Sequence, residues 1–214
     1  MAVLDHLVYA GPNLAEAVDE FERLTGIRAG AGGPHVGRGT ANHLVSFGPG
    51  SAYLEIIGPD PDQPDPSEPR AFGIDTLSGP KLVTFAIRPD ETETFEAVIG
   101  TIRAAGFSPG PIRAMRRTRA DGVELDWQLT SHRLLDDGEL PDGGLVPFVI
   151  DWGATPHPTE SATPGLSMTS MRVAGGETTA IYEMYDRLGL DIQVDRGETS
   201  ITCRLVGPKT VDLT

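Results

Sequence analysis

Three times along its 214 residues, a strand-like segment leads into a stretch with apolar residues at helical spacing, and further strand-like segments follow. In the first copy, Ala2 to Ala10 alternates as a strand, and Asn13 and Glu16 stand at capping-box spacing. Leu14, Val18, Phe21 and Leu24 then form one stripe closed by Gly26, before the runs TANHLVSFG and AYLEIIGP. The second copy has KLVTFAIR, a capping pair at Asp90 and Glu93, a stripe of Phe95, Val98, Ile99 and Ile102, and the runs IRAMRRTR, VELDWQLT and LVPFVIDW. The third has LSMTSMRV, then Ile181, Met184, Tyr185 and Leu188, then DIQVD, TSITCRLVG and TVDLT. No copy can bury its own sheet face, so the copies must pack on one another. The spacing predicts helices near 14–25, 91–105 and 178–188 on the outer face of the sheet. The fold class is α+β: repeated βαβββ modules forming cupped, mixed or antiparallel sheets. The division is 1–58 for the first module, 59–80 for a connector rich in proline and acid, and 81–153 for the second module. A second connector spans 154–165 and the third module 166–214. The first connector is expected to be extended and exposed.

Charge narrows the partners. Lys and Arg number 17 against 31 Asp and Glu, a net charge of -14, which is the wrong sign for gripping nucleic acid or an anionic membrane surface. No apolar run reaches the roughly 20 residues of a spanning helix, and the amino-terminal segment lacks signal-peptide character, so a cytoplasmic location is expected. The single cysteine, Cys203, cannot form an internal disulfide and reads as a buried small hydrophobe. GxGxxG, GxxxxGK[ST] and GxSxG arrangements are absent in useful form, which disfavours a nucleotide cofactor and serine hydrolysis.

Short motifs give a resemblance. Asp5-His6 opens the first strand and Tyr53 to Ile57 (YLEII) closes the first module; between them stand Gly32, Gly33 and His35, then Gly39, Thr40 and Asn42. Further on come Met115 and Arg117; Gly122, Leu125, Trp127, Gln128 and Leu129; and Pro147, Ile150 and Trp152. This combination, over residues 4–153, resembles the glyoxalase-like domain proteins of the vicinal oxygen chelate superfamily. The resemblance implies paired modules around a cup, with a divalent metal held by one His and one Glu from each module. His6 and Glu55 match the first module's ligand positions. The second module offers Thr84, then Asp151 or Ile150, so the resemblance implies at most an open metal site at His6 and Glu55, weakly held or absent.

Alternation places His6 with Val8 and Ala10 toward the cup, and Asp5, Leu7 and Tyr9 toward the helix. Tyr53, Glu55 and Ile57 face the same cup. A buried carboxylate needs a partner, so Glu55 and His6 are either a functional pair or a hydrogen-bonded structural one. His35, on a loop at the rim, is a candidate general acid or base, and Asn42 lies in a polar inward row. Arg117 could grip a carboxylate or phosphate, or belong to a solvated basic strand. Trp127 and Trp152 lie in apolar rows that suit either core or a wall for a flat ligand. Asp151 is a third cup acid or a strand-end charge. The expected activity is lyase- or isomerase-like, on a small organic molecule, with His6, His35 and Glu55 catalytic and Asn42, Arg117, Trp127, Asp151 and Trp152 binding substrate; dioxygenase chemistry fits less well. The alternative is a non-catalytic protein that sequesters a planar compound in the same cup. A homodimer is also admitted.

Overall fold

A computed structural model describes residues 1–118, 124–175 and 178–214, the side chains of residues 117, 118 and 124 excepted. The first module comprises β1 (Ala2–Ala10), α1 (Leu14–Thr25), β2 (Gly30–His35), β3 (Thr40–Ser46) and β4 (Tyr53–Pro59). Asn13 caps α1 by accepting the Glu16 N–H through Oδ1, at 3.2 Å. Glu16 answers to the Asn13 side-chain amide, at 3.1 Å, so the box closes through side chains. Gly26 ends the helix at φ 79°, a left-handed turn that glycine adopts without a Cβ penalty.

The second module comprises β5 (Lys81–Pro89), α2 (Phe95–Ala104), β6 (Ile112–Thr118), β7 (Glu124–Thr130) and β8 (Phe148–Asp151). Here α2 begins later than the expected residue 91. The cap is Thr94, whose hydroxyl accepts the Ala97 N–H at 3.2 Å. The Asp90 carboxylate is taken up by the Thr92 N–H at 2.9 Å, which makes a turn before the helix.

The two modules form one sheet of eight strands in the order β2-β3-β4-β1-β5-β8-β7-β6. Within each module the first and last strands are parallel, β1 with β4 and β5 with β8, and the modules join antiparallel through β1 and β5. The edge strands β2 and β6 come back into contact, so the sheet curls into a cup. Leu7, Tyr9, Phe85 and Ile87 cover its outer face together with Val18 and Phe21 of α1 and Val98 and Ile102 of α2. Complete burial of a side chain such as Phe21 is worth about 1.5–3 kcal/mol.

The third unit has β9 (Ser167–Ala174), α3 (Thr178–Leu188), β10 (Gln193–Asp195), β11 (Ser200–Val206) and β12 (Thr210–Leu213). Its element order is that of the other two, but its strands run β10-β9-β11-β12. The strand after the helix lies beside the first strand, parallel to it, whereas in the other modules the last strand takes that place. Met171, Val173, Ile201, Cys203 and Leu205 join the same outer core as α1 and α2. Among the described residues no helix is long and apolar enough to cross a membrane.

The first connector departs from the expected extended, exposed chain. Residues 71–76 form a 3-10 turn with Ile74 completely buried. Phe72 and Gly73 take left-handed conformations, φ 63° and 69°, and turn the chain inward so that Phe72 meets Phe148 at 5.7 Å between ring centroids.

Candidate functional site

The cup encloses a cavity of about 1120 Å³, bounded by the sheet, by the 66–72 segment and by the loop after β7. Its first-module wall is polar. Glu55 on β4 is buried, and its Oε1 accepts a hydrogen bond from Asn42 Nδ2 of β3 at 2.6 Å. The two histidines flank this carboxylate: His6 Nε2 is 3.8 Å from Oε2, and His35 Nε2 is 3.8 Å from Oε1. The His35 ring is fixed on its other side by Thr40, Nδ1 to Oγ1 at 3.0 Å. The His6 ring stacks on Tyr53 at 4.6 Å and meets the edge of Phe148 at 5.3 Å. Thus His6, His35, Asn42 and Glu55 are brought together.

Strand alternation misplaced one residue that matters. A β-bulge lies between Leu4, paired with Ile87, and His6, paired with Ala86. It releases Asp5 from the helix-facing row, and the Asp5 side chain is fully buried. Its carboxylate accepts hydrogen bonds from His6 Nδ1 at 2.6 Å, Trp152 Nε1 at 3.1 Å and His157 Nε2 at 3.1 Å, with Arg88 Nη1 at 3.3 Å. Burial alone would raise its pKa, but the hydrogen bonds and charges of His157 and His6 outweigh this and hold Asp5 well below the usual carboxylate range. An ionised carboxylate only accepts, so His6 carries its proton on Nδ1 and turns Nε2 toward Glu55. The signal in the sequence was an acid among apolar strand residues, which burial makes costly unless it is partnered.

The second-module wall carries an aromatic and aliphatic surface with Arg113 at its β6 side. Trp127 and Trp152 both line the cavity, their rings 5.2 Å apart and inclined by 36°, with Leu129, Phe148 and Ile150 beside them. Asp151 does not join them. Ile150 and Trp152 face the cup, so Asp151 points to the other side, where it accepts hydrogen bonds from Gln128 Nε2 at 3.0 Å and the Gly153 N–H at 2.9 Å. Arg117 stands opposite Leu125 in the β6–β7 register; its side chain lies outside the described residues, as does Gly122. Phe72 and Arg113, which line the cavity, were not singled out from sequence.

The donors fit a protein-held metal poorly. His6, His35 and Glu55 lie together on the first-module wall, and at the second module's corresponding strand Thr84 spends its hydroxyl on the Gly144 carbonyl at 2.9 Å. Among the described residues no group of three or more His, Cys, Asp or Glu side chains is arranged to hold an ion.

A family model described as a glyoxalase-like domain matches residues 4–189. No curated protein matches the sequence. Among solved structures, a hypothetical protein from Staphylococcus aureus is similar at 15% identity and a TM-score of 0.59, over 94% of this chain and 88% of that one. A methylmalonyl-CoA epimerase from Mycobacterium tuberculosis aligns at 15% identity and a TM-score of 0.36, over 69% of this chain and 85% of its own. One from Streptomyces coelicolor aligns at 14% and 0.37, over 71% and 95%.

Proposed function

The chain belongs to the glyoxalase-like domain family, and from that membership we propose that it moves a proton on a small organic molecule held in the cup, in an isomerase- or lyase-like reaction. The observation that carries this reading is the carboxylate of Glu55 with a histidine Nε2 3.8 Å from each of its two oxygens, at the wall of a large cavity. A carboxylate so placed is a general base for a C–H bond next to a carbonyl. The proton passes to Glu55, the C–H electron pair moves toward the carbonyl carbon, and the carbonyl π pair moves onto oxygen. His35 donates to that oxygen as it becomes negative. His6 then relieves Glu55 of the proton at Nε2, and the Asp5 carboxylate, 2.6 Å from Nδ1, stabilises the imidazolium that forms. Asn42 keeps the Glu55 carboxylate oriented throughout. No step passes through a metal.

The test is hydrogen exchange in heavy water, followed by NMR over a panel of small carbonyl compounds with one acidic C–H. Glu55→Gln preserves shape but not charge, and should slow exchange by about 10²–10⁴-fold, the usual worth of a general base. Prior dialysis against a chelator should leave the wild-type rate unchanged. Equal rates for wild type and a folded Glu55→Gln would overturn the reading. The open aromatic wall favours the second reading, a binder without turnover; affinity for a panel compound with no exchange in the wild type would select it.

A further inference from the structure

Building on the reading of the cup as a ligand site, we infer that its ligand is a flat organic acid, with its unsaturated body against Trp127 and Trp152 and its carboxylate at Arg113 and Arg133. These are the two tryptophans of the chain, and both wall one cavity. Neither is fully buried, although most large apolar side chains elsewhere are packed away. Two indoles inclined at 36° present flat π faces, which suit a conjugated or aromatic body better than a flexible chain.

The anionic end is set by charge. Arg113 lies on β6 opposite Leu129, in the same row as Met115, which stands opposite Trp127. Arg133 follows β7 in the adjacent loop. Both line the cavity, both are exposed, and neither has a side-chain hydrogen bond or ion pair among the described residues. Other arginines in this chain of net charge -14 do sit on carboxylates, as Arg28 does with Asp19 and Glu22 and Arg70 with Asp65 and Asp75, so acids are at hand and Arg113 and Arg133 are still left to the cavity. A guanidinium matches a carboxylate through its planar fork. Glu55 on the opposite wall repels an anion, so the same field that draws the carboxylate to β6 turns the rest of the ligand toward Glu55 and the histidines. Glu68, Asp136 and Arg38 also line the cavity; among its arginines, Arg113 shares the β6 row that stands opposite Trp127, which puts the anion site beside the aromatic wall.

Quenching of tryptophan fluorescence, cross-checked by calorimetry, tests this with trans-cinnamate, its neutral isostere cinnamamide, and the flexible acid octanoate. Cinnamate should bind about tenfold more tightly than either, the scale expected when a charge-assisted hydrogen bond is added. The preference over the amide should vanish in Arg113→Gln/Arg133→Gln and reverse in Arg113→Glu, whereas Arg172→Gln, on the third unit, should retain it. Melting temperatures establish that each variant is folded, and these exposed positions leave the core intact. Equal affinity for acid and amide, an acid preference that survives the double variant, octanoate binding as well as cinnamate, or no binding of any probe would each overturn the inference. The readout needs no turnover, so its failure leaves the Glu55 result standing, and a Glu55-independent exchange rate leaves the acid preference standing.

Discussion

Asp5 shows how much one residue can escape a sequence reading that finds its neighbour. The period of two assigned His6 and Glu55 to one face, and their rings and oxygens do meet there. The same period put Asp5 with Leu7 and Tyr9, because a bulge of one residue leaves no mark on the alternation of apolar side chains. Its four partners come from β1, β5, the end of β8 and the second connector, so it fixes the wall of the cup as well as His6. Asp5→Asn removes the charge that His6, Arg88 and His157 share, and should destabilise the fold by about 3–5 kcal/mol, the cost of breaking a buried ionic network. The pH dependence has a definite sign. A carboxyl whose folded pKa is depressed contributes its stability above the ordinary value of 3.8, and loses it as the pH falls from there toward the folded value. Acid unfolding followed by circular dichroism should therefore be shallower below that point in Asp5→Asn than in the wild type. At Cys203, by contrast, the sequence reading and the structure agree: burial, with a smaller contribution from Asp212, pushes the thiol up to about 12. It should stay unmodified by thiol reagents until the protein unfolds, as mass spectrometry would record.

At the scale of elements, apolar stripes located all three helices, because a stripe needs only its own residues to be legible. What the stripes could not locate was the start of α2, where Thr94 takes the cap and leaves Asp90 to a turn. The first connector was the larger miss. Its prolines and acids describe a chain unable to form a helix or an interior strand, but they do not forbid one turn from tucking Phe72 and Ile74 against the cup. That turn is held from the opposite rim. The Gly39 carbonyl accepts Arg70 Nε at 3.0 Å, and a Cβ on Gly39, at φ 63°, would come within 2.6 Å of Pro66. Gly39→Ala should therefore lift the connector from the mouth of the cup. Protease cleavage within residues 60–70 is expected to accelerate, with only a small fall in melting temperature, because the sheet is untouched.

For the whole molecule, the repeat predicted three units but not their arrangement, since element order does not dictate strand order. Two units complete one curled sheet, and the third packs outside it against β5, α1 and α2. Because β1 and β5 are paired along their length, a chain nicked within the first connector should remain associated in native gel filtration. Leu205 of β11 is fully buried in the shared outer core; Leu205→Ala should cost about 2–5 kcal/mol of stability while leaving the affinity of the folded cup unchanged. One contact across this assembly also sets a timetable. The last turns of α1 receive hydrogen bonds from Lys209, whose Nζ reaches the Arg23 carbonyl at 2.7 Å and whose backbone N–H reaches that of Thr25 at 3.2 Å. A ribosome delivers α1 long before it delivers Lys209, 186 residues later. Until then the share of the outer core that the third unit covers, beyond what α1 and α2 already bury, stays open to water on the nascent chain, apolar surface of the kind that makes incompletely folded chains prone to aggregate.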